Sequence, residues 1–523
     1  MKKRLAALFM AISMGATLLA GCGAASSQTS SQSEAAQQAD SSAAGSQESS
    51  DAYNVVISYV TLGSDPVDLK MVQDAMSDYT MEKLGCTVKL KSVPISNMTS
   101  EYNLWASSGE DIDLLCLFTQ NIGTMVDEGK IIPLDDYMTE ENTPNLLSIA
   151  DSNPFLSGGL YNGIQYGIPV VNPSQGEGKA MYAVGSYLDS VDYEDKDIYT
   201  YEDLLSIFAQ IKEQNPDVTP WSQLGTLNST MSINFINCDQ LGVSGGIAGV
   251  LMDVGNGSTD VVNLFETPEY YAFLQFMQQC YKNGYISSDA ATSTDAGDDW
   301  VKSGRSAGFT IGDDTPGNVE NRCASWNVDD AKQFNLKETY VTTSTYSSVT
   351  WGVSSNSKNP AKALQVLDEL YAKDATLLNM IMNGLEGVHY IAREGSKIID
   401  YPEGMDGTNT TYNNILGLYG DKRNMSMFAP NEDSFYTRSE EYTSNALKNQ
   451  SAALGYTFVS EDYTNQIAQI TSVLNQYLSS LEYGMVDDLD GYYQDFLGAL
   501  KDAGIDEVVA ANQEQLDAFL AAR

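Results

Sequence analysis

Histidine is nearly absent from this sequence: His389 is the only one in 523 residues. That excludes metal sites built on histidine pairs and leaves a Ser-His-Asp triad with one candidate base. Set beside Val388 and near Ile391, His389 reads as a hydrogen-bonded core residue rather than a catalyst. Cysteine is scarce too, with six in the chain. Apart from Cys22, these are Cys86, Cys116, Cys238, Cys280 and Cys323, an odd number at wide spacings with no C-x-x-C pair. No disulfide framework and no thiolate metal site follows from them. Cys86 and Cys116 lie in or beside apolar runs, where cysteine acts as a small hydrophobe.

Basic residues are few. The 28 Lys and Arg face 70 Asp and Glu, for a formal net charge of −42. A body this acidic repels polyanions and carries no basic stripe, so nucleic acid and anionic lipid are not its partners. Beyond the first 21 residues no apolar run approaches the roughly 18 residues that a spanning helix needs. No HExxH, P-loop or GxSxG motif is present, nor a GxGxxG in the right setting. "DVGNGSTD" (253–260) lacks the alternating carboxylates and closing Glu of an EF-hand loop. No metal and no cofactor are therefore expected. The carboxylates are numerous enough that counting leaves a glycosidase pair open, but no local motif marks one pair out.

What is present begins at the N-terminus. Lys2, Lys3 and Arg4 precede the apolar Leu5–Leu19, and Ala20-Gly21 are the small residues before a cut, as in a secretory signal over residues 1–21. Leu19-Ala20-Gly21-Cys22 resembles the bacterial lipobox, whose cysteine is lipidated, with a palmitate-type acyl chain among its lipids. Two or more acyl chains give lasting attachment to a membrane. Residues 22–52 continue as a Ser/Ala/Gln-rich tether, too poor in apolar residues to order itself. As a flexible coil it would reach roughly 30 Å. The expected location is the extracellular face of the cell membrane, held by the lipid on Cys22.

The rest is too long for one ordinary core, so two lobes are expected. "YNVVISYV" (53–60) is a strand, and 64–85 reads as a helix capped by Asp65 with Pro66 in its first turn and Gly85 as its stop. "CTVKLKSVP" is a second strand, 97–109 a helix closed by Gly109, and "DIDLLCLF" (111–118) a strand apolar on both faces. This βαβαβ order argues for an α/β lobe with a parallel sheet. Helical periodicity stops at "YNGIQYGIPVVNPSQGEG" (161–178), where the chain is expected to cross to a second lobe. Thr200 and Asp203 open a helix in the manner of a capping box. Further helices are expected over 267–286 and after Asn359-Pro360, and three amphipathic segments fill 464–522. Crossings are placed at 346–371 and between 424–436 and the helical end. Lobe 1 then comprises 53–169 plus about 352–428. Lobe 2 comprises 170–351 plus about 429–523 with the C-terminal helices.

In open α/β sheets ligands bind beyond the carboxyl ends of the strands. This places Gly63, Ser64 and Asp65 after the first strand, and Thr119 and Gln120 after the third, at a pocket rim. Asn172, Trp221, Asp313 and Trp351 follow breaks in the second half or sit on a crossing. Aromatic faces stack on sugars while planar polar groups bond their hydroxyls, so this set suits a saccharide. Trp105, in mid-helix, reads as packing.

The lipobox, the tether, "LWASSGEDIDLL", "DEGKIIPLDDYM" (127–138), "YNGIQYGIPV" and "WGVSSNSKNPAKALQVLDELY" together resemble the extracellular solute-binding proteins of ABC importers, in the large group called family 1. The likeness runs in order over most of residues 53–390. "NGLEGVHYI" (383–391) and the tail from "GYTFVSEDYTNQIAQITSVLNQYL" onward look like a Firmicutes lipoprotein subgroup with a C-terminal domain of unknown function. The resemblance implies a two-lobed, periplasmic-binding-protein-like fold of type II, with hinge segments crossing between lobes and a helical C-terminal region. It also implies a monomeric, non-enzymatic binder that closes over a carbohydrate, most often an oligosaccharide, and delivers it to the permease subunits of an ABC importer. Other solutes, such as a peptide or a polyamine, and a surface glycan hydrolase remain alternatives. The acidic insert 191–203 departs from the family pattern.

Overall fold

The structure, a computed structural model, describes residues 52–523 except Asn228 and Ile415. The signal-like segment, Cys22 and nearly all of the tether lie outside the described residues. β1 (Tyr53–Thr61), α1 (Leu69–Leu84), β2 (Cys86–Pro94), α2 (Met98–Ser108) and β3 (Leu114–Cys116) follow one another. β1 is buried from Val55 to Thr61 without alternation, so it needs cover on both faces. Gly85 and Gly109 end α1 and α2 in the left-handed region, at φ 67° and 68°, where a Cβ would be strained. α1 starts at Leu69 instead of beside Asp65. Asp68 holds the cap position without a side-chain cap bond, and its N–H is drawn 3.2 Å to the Thr411 carbonyl.

After β4 (Gly167–Pro169) the chain enters a second lobe built on β5 (Lys179–Val184), α3 (Tyr201–Gln214), α4 (Pro268–Lys282), β6 (Gly308–Asp313) and β7 (Ala331–Asn335). β5 is the middle of an antiparallel sheet flanked by β6 and β7. The Thr200–Asp203 capping box is formed, and Leu204, Ile207, Phe208 and Ile211 of α3 are buried. β8 (Thr350–Val353) then returns to the first sheet, antiparallel to both β3 and β4, with Trp351 opposite Cys116 and Ile168. The first sheet therefore runs β2-β1-β3-β8-β4, with β1 parallel to β2 and β3. α5 (Pro360–Glu369) opens on the Asn359 cap, and α6 (Thr376–Asn383), α7 (Ser434–Ala446), α8 (Thr464–Glu482), α9 (Leu489–Asp502) and α10 (Ile505–Ala521) complete the chain.

Two large hydrophobic cores result, one per lobe of a periplasmic-binding-protein-like α/β fold, with a smaller cluster around Tyr182 and Trp326 on the second-lobe sheet. The first gathers Val55, Val72, Leu114, Trp351 and Leu364; the second gathers Phe208, Trp221, Phe273, Leu478, Phe496 and Leu516. The C-terminal helices thus belong to the second core. The chain moves between the cores near 172–179, 337–340 and 447–455. Residues up to 351 were expected in the second lobe, yet Val341, Tyr346 and Trp351 pack in the first, as does Ala446 at the end of α7. Strand pairing of β8 with β3 draws this stretch across earlier than its composition shows.

His389 is buried, its Nδ1 accepting from the Leu385 N–H at 2.9 Å and its Nε2 lying 3.3 Å from Asp68 Oδ2. It is a structural residue. The five described cysteines are unpaired, four of them buried. Among the described residues no helix is long and apolar enough to cross a membrane.

Candidate functional site

The three crossing segments lie side by side. The Glu177 N–H donates to the Tyr340 carbonyl at 2.8 Å and the Leu336 N–H to the Lys179 carbonyl at 2.8 Å. The Val341 N–H donates to the Asn449 carbonyl at 2.9 Å and the Ser451 N–H to the Val341 carbonyl at 2.8 Å. Two glycines make this close approach possible. A Cβ on Gly176 would press on Thr339 and Ala446, and one on Gly178 would collide with the Asp314 carboxylate.

This ribbon floors a cavity of about 640 Å³ that takes residues from both lobes. Asn172, Gln175 and Glu177 come from the first crossing, and Lys337 and Tyr340 from the second. Ser344, Thr345 and Ser348 supply the wall on the first lobe. Ser229, Thr230, Asn234 and Gln240 supply the opposite wall, with Lys179 and Asp313 at the end of the β5–β6 pair. A second cavity, of about 600 Å³, is lined by α7, the 145–153 region and Arg423, with no residue from the second-lobe sheet. The inter-lobe cavity is therefore the better candidate for a site that senses lobe closure.

The charged groups in this cavity are already engaged. Glu177 Oε1 accepts from the hydroxyls of Thr342, Ser344 and Thr345, the last two at 2.8 and 2.7 Å. Asp313 is paired with Lys179. Lys337 is buried, and its ammonium donates to the carbonyls of Ile233 at 2.9 Å and Ile236 at 3.3 Å and to the Tyr340 hydroxyl at 2.8 Å. Burial brings its pKa down to about 8. Of the neutral groups in the lining, the Ser344 and Thr345 hydroxyls donate to Glu177 and Gln175 Oε1 accepts from Asn153, which leaves chiefly the amides of Asn172, Asn234 and Gln240 for a ligand. Among the described lining residues, Tyr340 is the one aromatic side chain.

Of the residues expected from the sequence, Asn172 and Asp313 line this cavity. Ser64 and Asp65 line a different one, of about 460 Å³, between the end of β1 and residues 410–416. Thr119 is exposed, with a left-handed φ of 63°, and Gln120 bonds Thr99 across from α2; neither lines these cavities. The two tryptophans are corrections. Trp221 is fully buried in the second core, with Phe208, Phe235 and Phe276 ring centroids 5.9–6.3 Å away. Trp351 is buried in β8, its indole N–H donating to the Leu418 carbonyl at 2.6 Å. Both follow breaks in the sequence, but burial makes them core.

Sequence reasoning missed Gln175, Glu177, Lys337, Tyr340 and the hydroxyl wall at 344–348. Their one readable signal is the polar run "SQGEG" (174–178) within the first crossing, which reports a backbone approach and not a chemistry.

Residues 74–396, more than half of the chain, match the family described as bacterial extracellular solute-binding protein, and residues 452–521 match a domain of unknown function. A carbohydrate ABC transporter substrate-binding protein of Streptococcus pneumoniae is 26% identical over 477 residues, covering 89% of this chain and 91% of that protein. The crystal structure of an N-glycan transport solute-binding protein (NgtS) from Streptococcus pneumoniae superimposes with a TM-score of 0.72 at 22% identity, covering 90% of this chain and 99% of the other. Its complex with Man5GlcNAc gives 0.59 over the same shares. A human-milk-oligosaccharide-binding solute-binding protein of Bifidobacterium longum infantis gives 0.63 at 17% identity, covering 90% and 99%.

Proposed function

The chain belongs to the bacterial extracellular solute-binding protein family, and from that premise we propose that it captures an oligosaccharide between its lobes and hands it to an ABC permease. The observation that carries this reading is the chemistry of the inter-lobe cavity. A polyamine would need uncompensated carboxylates, whereas the two acids in the lining, Glu177 and Asp313, stand beside two lysines, Lys179 and Lys337. A sugar needs neutral donors and acceptors, which the side-chain amides of Asn172, Asn234 and Gln240 supply, with the Ser344 and Thr345 oxygens left as acceptors.

The relatives point the same way, since the similar proteins are carbohydrate and glycan binders. Ligand bridging the two walls would populate a closed form, and that form is what a permease would recognise. Family membership places the chain among extracellular binding proteins and not enzymes, so a hydrolytic carboxylate pair has no role here. Anchoring through Cys22 belongs to the same proposal and rests on the lipobox-like sequence before it.

A thermal-shift screen of residues 51–523 tests the reading with Man5GlcNAc, other oligosaccharides, peptides and polyamines. The expected result is a melt raised by one glycan class alone, with the glycan recovered intact. A melt raised only by peptides or polyamines would overturn it.

A further inference from the structure

We propose that α8, within the domain of unknown function, sets the shape of the ligand cleft by fixing the second-lobe wall, with Glu482 and Ser479 as positioning residues. This rests on the inter-lobe cavity being the glycan site. The wall is formed by Ser229, Thr230, Ile233 and Asn234, and behind it runs α8. Residues three and four apart on a helix share a face, and Ser479, Glu482 and Tyr483 at the C-terminal end of α8 are so spaced. Each bonds a different backbone group of the stretch that leads into the wall. The Leu227 N–H donates to Ser479 Oγ at 3.2 Å, the Met231 N–H to Glu482 Oε2, and the Tyr483 hydroxyl to the Gly225 carbonyl at 2.7 Å.

From the cleft side, Lys337 holds the far end of the same stretch through the carbonyls of Ile233 and Ile236. The wall is thus fixed at one end by the C-terminal region and at the other by the second crossing. Glu482 is fully buried, with the Ser232 and Tyr270 side chains beside its carboxyl. Burying a carboxyl in place of an apolar group costs stability. Packing alone would be served better by an apolar residue there, whereas an acceptor for the Met231 N–H is what the wall needs.

Hydrogen exchange and glycan binding, read together on the purified protein, test this. In Glu482→Ala the amides of 229–236 should exchange roughly tenfold faster while those of α9 and α10 stay protected, since local openings are independent of the global one. Ser479→Ala, which leaves the buried carboxyl in place, should give a smaller effect confined to the same stretch. Glu482→Gln keeps an acceptor and should restore the wild-type pattern. Affinity for Man5GlcNAc should fall about tenfold in Glu482→Ala and recover in Glu482→Gln, the loss of one buried bond. Unchanged exchange at 229–236, or equal loss of protection across the whole second lobe, would overturn the inference. Should the wild-type protein ignore Man5GlcNAc and every other oligosaccharide of the screen while the exchange pattern behaves as expected, the glycan reading fails and the role of α8 in holding the wall stands.

Discussion

Asp314, one residue beyond β6, accepts a 2.6 Å hydrogen bond from the hydroxyl of Tyr442 on α7. Its other oxygen accepts from Thr339 on the second crossing at 2.7 Å. One carboxylate of the second-lobe sheet is therefore tied to a helix whose end packs in the first core and to a hinge segment. Burial raises its pKa, and the two hydroxyls pull it back. Tyr442→Phe is expected to loosen the resting angle between lobes. Small-angle scattering should show a wider spread of shapes without ligand, and a melt lowered by about 1–3 kcal/mol of lost stability. An unchanged scattering profile would show that the tie does not set the angle.

A second expectation separates cleft from core. Asn172→Ala and Asn234→Ala should weaken glycan binding by about tenfold each, or some 1.4 kcal/mol, and leave the melt in place. Trp221→Ala and Trp351→Ala should instead cost about 3–5 kcal/mol of stability, the usual range for a buried tryptophan. Calorimetric titration and thermal melts on the four variants distinguish the two classes. A tryptophan variant that loses binding while keeping its melt would return that residue to the site.

Three buried carboxyls make stability depend on pH in one direction. Burial pushes Asp239 and Asp368 up to about 6 and Glu482 up to about 8, from ordinary values of 3.8 and 4.5. A carboxyl whose folded pKa is raised keeps a proton that the unfolded chain has released. Its contribution to stability is therefore full below the ordinary value and is lost as pH rises through the folded one. The melting temperature should rise on going from pH 8 to pH 5.5. Glu482→Gln should flatten the part of that profile between pH 6 and 8, while the Asp239 and Asp368 part remains. A profile that Glu482→Gln leaves unaltered would mean that this carboxyl is not protonated in the fold.

The proposed anchor at Cys22 is tested by Cys22→Ala, which should move the protein from the membrane fraction to the medium. Detergent-phase partitioning of whole cells reads this directly, and a protein that stays membrane-bound would have another anchor.

Local signals carried the fold. The Thr200–Asp203 capping box, the Asn359-Pro360 start and the left-handed Gly85 and Gly109 were legible because each depends on residues a few positions apart. The start of α1 was misplaced because a distant partner, Thr411, takes the Asp68 N–H. The site was less legible for the same reason. Asn172 and Asp313 sit where strand ends and crossings pointed, but Trp221 and Trp351 look identical to ligand-stacking residues until their burial is known. Glu177 and Glu482 are two acids among 70, and nothing beside them in sequence records the hydroxyls or the wall that they hold.

The three crossings also govern how the molecule is assembled. The first core contains both Val55 and Leu454, so it cannot be completed until nearly the whole chain is available, and neither lobe corresponds to one continuous stretch. Contacts this distant in sequence slow folding, since long loops must close before burial rewards them. A chain that cannot close its first core until residues near 454 are available stays open longer than one whose lobes are continuous stretches, so the connectivity that joins the lobes also sets the order in which they can form.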